Sequence, residues 1–251
     1  MDSGLYAAYT GLLARTQALD TAANNLANAG TNGFRAQRDT FRGVLASGMS
    51  YDQLAAGQVG SQVGNSVNGF GVLGGSAIDL GQGPMVTTGN ALDLGLNGQG
   101  FFAIQTANGV RYTRDGSFMQ SADGQIQTQQ GEPVLDAQMQ PITLPNGVVD
   151  VSADGTVSVG TGIVAKVGIF NIAGSDLTTE GTSRFAAAAG VTPTAGDAII
   201  KQGALEGSNQ DAVHGPMELM LVQRQAEMMQ KALGVFSNDF DKTAVEEISK
   251  V

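Results

Sequence analysis

PMELMLVQRQAEMMQKALGVFSNDF, residues 216–240, decides how the chain is organised. Leu219, Ala226, Leu233 and Phe240 recur every seven residues, and Val222, Met229 and Phe236 fall between them at the same interval. The alternating spacing of three and four is the a/d seam of a coiled coil, a narrow apolar stripe along one side of a helix. Such a stripe needs a partner helix. The other end of the chain offers one: Leu5, Leu12, Leu19 and Leu26 are also seven apart, with Tyr9, Thr16 and Ala23 at the intermediate positions. The pattern fits equally two ordinary amphipathic helices packed on a core. Either way, helices at both ends enclose a middle with little helical periodicity.

Composition bounds what that middle can be. The chain has 251 residues, which allows one or two domains with a core of ordinary size. Gly occurs 36 times, Trp not at all, and only 14% of residues are charged, the profile of a turn-rich β protein. A net charge of −10 argues against nucleic acid or an anionic membrane as the main partner, since both call for a basic face. With no cysteine there is no disulfide, thiolate catalysis or cysteine metal site. No stretch approaches the roughly 18 apolar residues of a membrane span, so direct membrane insertion is not expected. The opening Met-Asp-Ser-Gly-Leu has neither the basic nor the apolar region of a cleavable secretory signal.

In chain order, residues 3–28 read as a helix that stops in a run of Asn and Gly (NNLANAGTNGF, 24–34). These carboxamides act either as local caps and turns or as contacts with neighbouring subunits. Residues 35–45 read as a second short helix or as the start of an extended arm. From Gly43 to Val110 there is no Lys, Arg or Glu, and the only acids are Asp52, Asp79 and Asp93. The apolar residues scattered through that run mark a surface to be covered more than a flexible linker. Its GFGVLG (69–74) matches the dinucleotide-binding glycine pattern by chance, because the strand before it and the helix after it are missing.

From Asn90 the pattern becomes β. Asn97-Gly98, Asn108-Gly109, Asp115-Gly116, Asp123-Gly124, Asn146-Gly147 and Asp154-Gly155 punctuate short apolar runs, as hairpin turns do. Strands are expected at 101–105, 110–114, 125–128, 148–151 and 157–159, with the longest at 163–170 and the last at 199–205. Residues 178–198 read as a loop. The fold class is therefore mainly β with terminal α-helices, the N- and C-terminal helices pairing as a coiled coil around a central antiparallel β domain of sandwich or barrel type. The expected division is 1–45 with 206–251 as the terminal helical domain, 46–89 as an extended weakly charged arm, and 90–205 as the β domain.

Chemistry is sparse. The single histidine, His214, stands beside Gly215-Pro216 and without cysteine partners supports no zinc cluster or Cys–His pair. No GxSxG elbow and no calcium loop occurs, and the aspartates flank Gly in turn positions. Catalytic residues, metal ligands and cofactors are all expected to be absent.

Four motifs carry a resemblance. LDTAANNLAN (19–28) followed by TNGFR (31–35), with Asn24, Asn25, Leu26, Asn28, Asn32, Gly33 and Phe34, is similar to the N-terminal signature of bacterial flagellar rod and hook proteins. TGNALDL with NGQGFF (88–102), YTRDGSF (112–118) and GALEGSN (203–209) resemble the family's later motifs in the same order. The chain departs from the family pattern at Ala226, where an aromatic often precedes the Glu. The resemblance implies a structural subunit of the basal-body rod that polymerises helically through its terminal helices and transmits torque from motor to hook. It implies export by the flagellar type III apparatus without a cleaved signal, and self and other rod proteins as partners. The terminal helices would form an inner tube and the β-rich middle an outer layer. Length and the ending at 236–240 favour a proximal rod subunit over a distal one, and both over a hook subunit. The alternative from another class is a β-rich ligand-binding or enzymatic module on a coiled-coil stalk.

Overall fold

The computed structural model describes residues 2–45 and 69–248, with side chains for 9–40 and 75–235. Residues 46–68 of the expected arm lie outside the described residues, as do the side chains of Leu5, Phe236 and Phe240. The described residues divide into two compact units: 2–26, 38–45, 69–77 and 213–248 form one, and 27–37 and 78–212 the other.

The first unit holds helix α1 (Asp2–Ala27), strands β1 (Gln37–Leu45) and β2 (Gly69–Ile78), which pair as a two-stranded sheet, and helix α2 (His214–Ile248). Helix α2 is 35 residues long, about 50 Å at the usual rise. Pro216 is tolerated because it sits in the first turn, where its missing N–H has no acceptor to lose. Beyond it the sequence is rich in Leu, Met, Gln, Glu, Lys and Arg, which lose little rotamer freedom in a helix. Residues 35–45 thus supply an extended strand and no short helix. The glycine pattern at 69–74 lies inside β2, where it shapes no phosphate loop. Among the described residues, no helix is long and apolar enough to cross a membrane.

The second unit is built of β-strands with one 3-10 turn, Gly174–Asp176. Its strands are β3 (Met85–Thr87), β4 (Leu94–Asn97), β5 (Phe101–Thr106), β6 (Gly109–Thr113), β7 (Met119–Gln120), β8 (Ile126–Gln127), β9 (Val149–Val151) and β10 (Thr156–Val159). They continue with β11 (Gly162–Lys166), β12 (Ile169–Asn171), β13 (Leu177–Glu180), β14 (Arg184–Ala187), β15 (Thr194–Ala195), β16 (Ile199–Gln202) and β17 (Ala204–Glu206). The main sheet is antiparallel in the order β13-β14-β6-β5-β12-β15. Its two edges are different strands, so the sheet is open and not a closed barrel. Smaller sheets accompany it: β11-β10-β9, β16-β4, β17-β3 and β7-β8.

Strand β5 is the centre of this unit. Side chains alternate across a strand, so Phe102 and Ile104 enter one core with Phe118, Ile126 and Ile142, while Phe101 and Ala103 enter a second with Tyr112, Leu135 and Phe185. Edge-on ring contacts hold each core: Phe102 meets Phe118 at 5.1 Å between centroids and Phe101 meets Phe185 at 5.4 Å. Such pairs add about 0.5–1.5 kcal/mol beyond their buried area.

Two expectations about strands need correction. Residues 163–170 do not form one strand: β11 pairs with β10, whereas β12 pairs with β5 in another sheet. The crossing point is Gly168, where a Cβ would stand 2.5 Å from the carbonyl oxygen of Asp136 and 2.6 Å from the Phe170 ring. Residues 178–198 are not a loop, because β13 and β14 form a hairpin closed by Gly181 at φ +76° and β14 joins the main sheet against β6. The final strand at 199–205 is broken into β16 and β17 at Gly203, whose φ is +71°.

Candidate functional site: helix faces and a buried charge cluster

Helix α2 carries two apolar faces. Along the first, Leu219, Val222, Met229 and Leu233 are half-buried and Ala226 is buried. On α1, Leu12, Leu19 and Leu26 are half-buried, but the deepest positions are Ala14, Ala18 and Asn25, while Tyr9 and Ala23 are exposed. The two helices touch where the Met229 methyl lies over Gly11; a Cβ on Gly11 would stand 3.4 Å from it. The missing side chain at Gly11 lets the long methionine of α2 approach α1 there.

The second face of α2 runs through Met217, Leu221, Arg224, Met228, Lys231 and Val235, again at alternating spacings of four and three. It is offset by two residues from the first, about 200° around the helix. Its apolar members are open to solvent: Met217 is 53% exposed, Leu221 59%, Met228 63% and Val235 60%, and Met220 beside them is 53% exposed. Large apolar side chains left open in one row, interrupted by Arg224 and Lys231, mark a surface for a further contact.

In the β unit, the quoted motifs converge on one buried cluster. The Glu206 carboxylate, with no exposed side-chain surface, accepts from Arg35 Nη2 at 2.5 Å, from Arg114 Nη1 at 3.0 Å and from the Gly83 N–H at 2.9 Å. Arg35 also donates to the Phe34 carbonyl and Arg114 to that of Gly98, at 3.1 and 2.7 Å. The Arg114 guanidinium stands 5.3 Å above the centre of the Phe101 ring, within cation–π range. Burial pulls Arg114 below its ordinary pKa; the Glu206 carboxylate opposes that and the Arg35 cation adds to it. The Nε atoms of both arginines are buried without an acceptor among the described residues.

Backbone fit completes the convergence. Gly33 takes φ +67° and donates to the Glu206 carbonyl at 2.8 Å, and a Cβ there would lie 2.2 Å from the Asp115 nitrogen. Asn209 accepts from the Ala36 N–H at 2.7 Å and donates to the carbonyls of Asp79 and Gly81 at 2.8 and 3.1 Å. Phe34 and Asn28 are buried, Asn32 is half-buried and Asn24 is exposed. Asn28 closes the turn after α1 by accepting from Thr31, with its carbonyl at 3.0 Å and its side chain at 3.2 Å. Among the described residues, no three His, Cys, Asp or Glu side chains are placed to hold a metal ion.

No periodicity in the sequence joins Arg35, Arg114, Glu206 and Asn209 into a cluster, and the heptad of the first face masks the outer face of α2. A signal for the cluster existed: Arg35 and Glu206 are the lone charges in TNGFR and GALEGSN.

Comparison with known proteins bears on both regions. Residues 5–35 match the family described as flagella basal body rod protein, and residues 95–159 match the D1 domain of the flagellar hook proteins FlgE/F/G. The first match ends at Arg35 and the second contains Arg114. The flagellar basal-body rod protein FlgF of Caulobacter vibrioides is 34% identical over all of both chains. FlgF of Escherichia coli is 33% identical over 91% of this chain and 92% of its own, and FlgG of Bacillus subtilis is 30% identical over 88% and 89%. With identity of this order running the length of both chains, this protein belongs to the family of flagellar basal-body rod proteins.

Proposed function

We propose that this chain is a structural subunit of the bacterial flagellar basal-body rod that polymerises helically through α1 and α2 and carries torque from motor to hook. In this reading it is not an enzyme, and its partners are further copies of itself and the other rod proteins. The observation that carries the proposal is the second apolar face of α2. A stripe of four large apolar residues more than half exposed is an association surface, and a contact that repeats without closing builds a filament. The first faces of α1 and α2, with Leu5, Leu12, Leu19, Leu26, Leu219, Val222, Ala226, Met229, Leu233, Phe236 and Phe240, form the coiled-coil seam of this reading; the Gly11–Met229 contact supports pairing of the two helices, with Gly11 and not a leucine of α1 against Met229. The β unit is the folded module that the polymer carries. We assign the chain to the proximal rod, a reading supported by FlgF relatives that match at 31–34% against 27–31% for FlgG relatives. Export through the flagellar type III apparatus follows from the same family reading.

The test is Leu221→Asp in the full-length chain. The expected result is loss of polymerisation by sedimentation and of motility in a strain carrying only this variant, with the unfolding transition of the β unit unchanged. Polymers formed at the parent's level would overturn the proposal.

A further inference from the structure

Sulfur in this chain is confined to nine methionines, since there is no cysteine. Four of the nine, Met217, Met220, Met228 and Met229, lie within thirteen residues of α2. Three of these are more than half exposed, at 53, 53 and 63% for Met217, Met220 and Met228. Met229 is different: it is half-buried with its methyl against Gly11. Neighbours in sequence therefore present their thioethers to opposite environments, Met228 to solvent and Met229 to α1. Elsewhere Met85 packs its methyl against Gly95, and Met119 of β7 is 38% exposed. Thioethers are oxidised according to their access to the oxidant.

We propose that Met217, Met220 and Met228 form a peroxide-sensitive modification site that prevents the free subunit from assembling; the consequence for assembly rests on the function proposed above. In the step, the thioether sulfur attacks one oxygen of hydrogen peroxide. The S–O bond forms, the O–O bond breaks, and the departing hydroxide takes the proton left on the transferred oxygen and leaves as water. Sulfur is oxidised by two electrons and peroxide is reduced by two. The product is a polar, chiral sulfoxide in place of a flexible apolar group, and burying it against an apolar partner leaves its oxygen without a donor. In a polymer the same contact covers these residues, so the site acts on subunits not yet incorporated.

The experiment treats the full-length chain with graded hydrogen peroxide, locates sulfoxides by peptide mass spectrometry and measures polymerisation by sedimentation. Sulfoxide is expected at 217, 220 and 228 at doses that leave 229 and 85 as thioethers. Polymerisation is expected to fall with their summed occupancy and to return after treatment with methionine sulfoxide reductases. The combination Met217→Gln, Met220→Gln and Met228→Gln imitates the polar product and is expected to abolish polymerisation without peroxide, whereas Met119→Gln keeps it. Oxidation of Met229 as readily as Met228 overturns the site. Full polymerisation of chains carrying all three sulfoxides, or of the triple glutamine variant, overturns its consequence. An untreated chain that forms no polymer defeats the assembly reading instead, while the order of oxidation at 228 and 229 still decides the site.

Discussion

Strand β5 and helix α2 are both apolar on two opposite sides, and only β5 has both sides covered. Phe101 and Ala103 close one core and Phe102 and Ile104 another, all of them at 2% exposure or less. On α2, Leu219, Val222, Ala226 and Met229 are at least half-buried while Met217, Leu221, Met228 and Val235 meet water. The same contrast holds for charge. Glu206 is held by two arginines and a backbone N–H, whereas Arg224 and Lys231 on α2 are exposed. The β unit thus covers both of its apolar sides within one chain, whereas the helical unit leaves one side of α2 open. Substitutions in the first are therefore expected to lose stability, while the second has room to gain it.

Glu206→Gln is expected to have the largest effect. It keeps the shape of the side chain and removes its charge, leaving Arg35 and Arg114 buried together. Removing one partner of a buried ion cluster costs about 3–5 kcal/mol, read as a lower urea midpoint for the β transition of the full-length chain. Replacing Arg35, Arg114 and Glu206 together by Met is expected to recover most of that loss, because the desolvation penalty disappears with the charges. A parental midpoint for Glu206→Gln would break the contrast at its strongest point.

How far the sequence showed this contrast depends on the distance over which each feature is determined. The terminal helices were legible because a heptad is a local pattern. So was β5, since FFAIQ lies between Asn97-Gly98 and Asn108-Gly109 and reads as a buried run. Residues 163–170 read as one strand because apolar alternation continues across Gly168, although the chain changes sheets there; Asp136, whose carbonyl forbids a side chain at Gly168, is remote in sequence. The charge cluster left no periodic trace. Glu206 is 171 residues from Arg35 and 92 from Arg114, and the motifs marked these residues without indicating what they touch. The outer stripe of α2 was available in the spacing of Met217, Leu221, Met228 and Val235, and was hidden by the stronger heptad beside it.

Asn209→Ala probes the finished unit more gently. It removes the acceptor of the Ala36 N–H and the donor to Asp79 and Gly81. The expected loss is about 1–3 kcal/mol, since the partners are left unpaired, again read from the β transition. The opposite sign is expected for Gly11→Ala in the helical unit. Alanine is favoured over glycine inside a helix by about 0.8–1 kcal/mol, and the new methyl meets only the mobile end of Met229 at ordinary contact distance. Far-ultraviolet circular dichroism should show a higher midpoint for the helical transition. A loss there would mean that α1 and α2 are already packed as tightly as the β cores.

The smallest effect is expected at the rim of the finished unit, where Arg111 grips Glu180 with Nε at 2.6 Å and Nη2 at 2.9 Å. The hydrogen bond from Arg111 holds the Glu180 carboxyl below its ordinary value, with the charges of Arg111 and Arg184 adding to the effect against burial. A carboxylate whose folded pKa is depressed contributes stability that is fully present above its unfolded pKa and is lost as pH falls through the folded value. The pair therefore stabilises the β unit at neutral pH and contributes nothing once Glu180 is protonated. Arg111→Ala should lower the β midpoint slightly at pH 7 and leave it unchanged in acid below the depressed value. The curves of parent and variant should thus converge as pH falls from the usual glutamate range, and salt should narrow the gap at neutral pH because the pair is partly exposed. A gap that persists in acid would show that Arg111 acts through the packing of its stem on β6 and not through its charge.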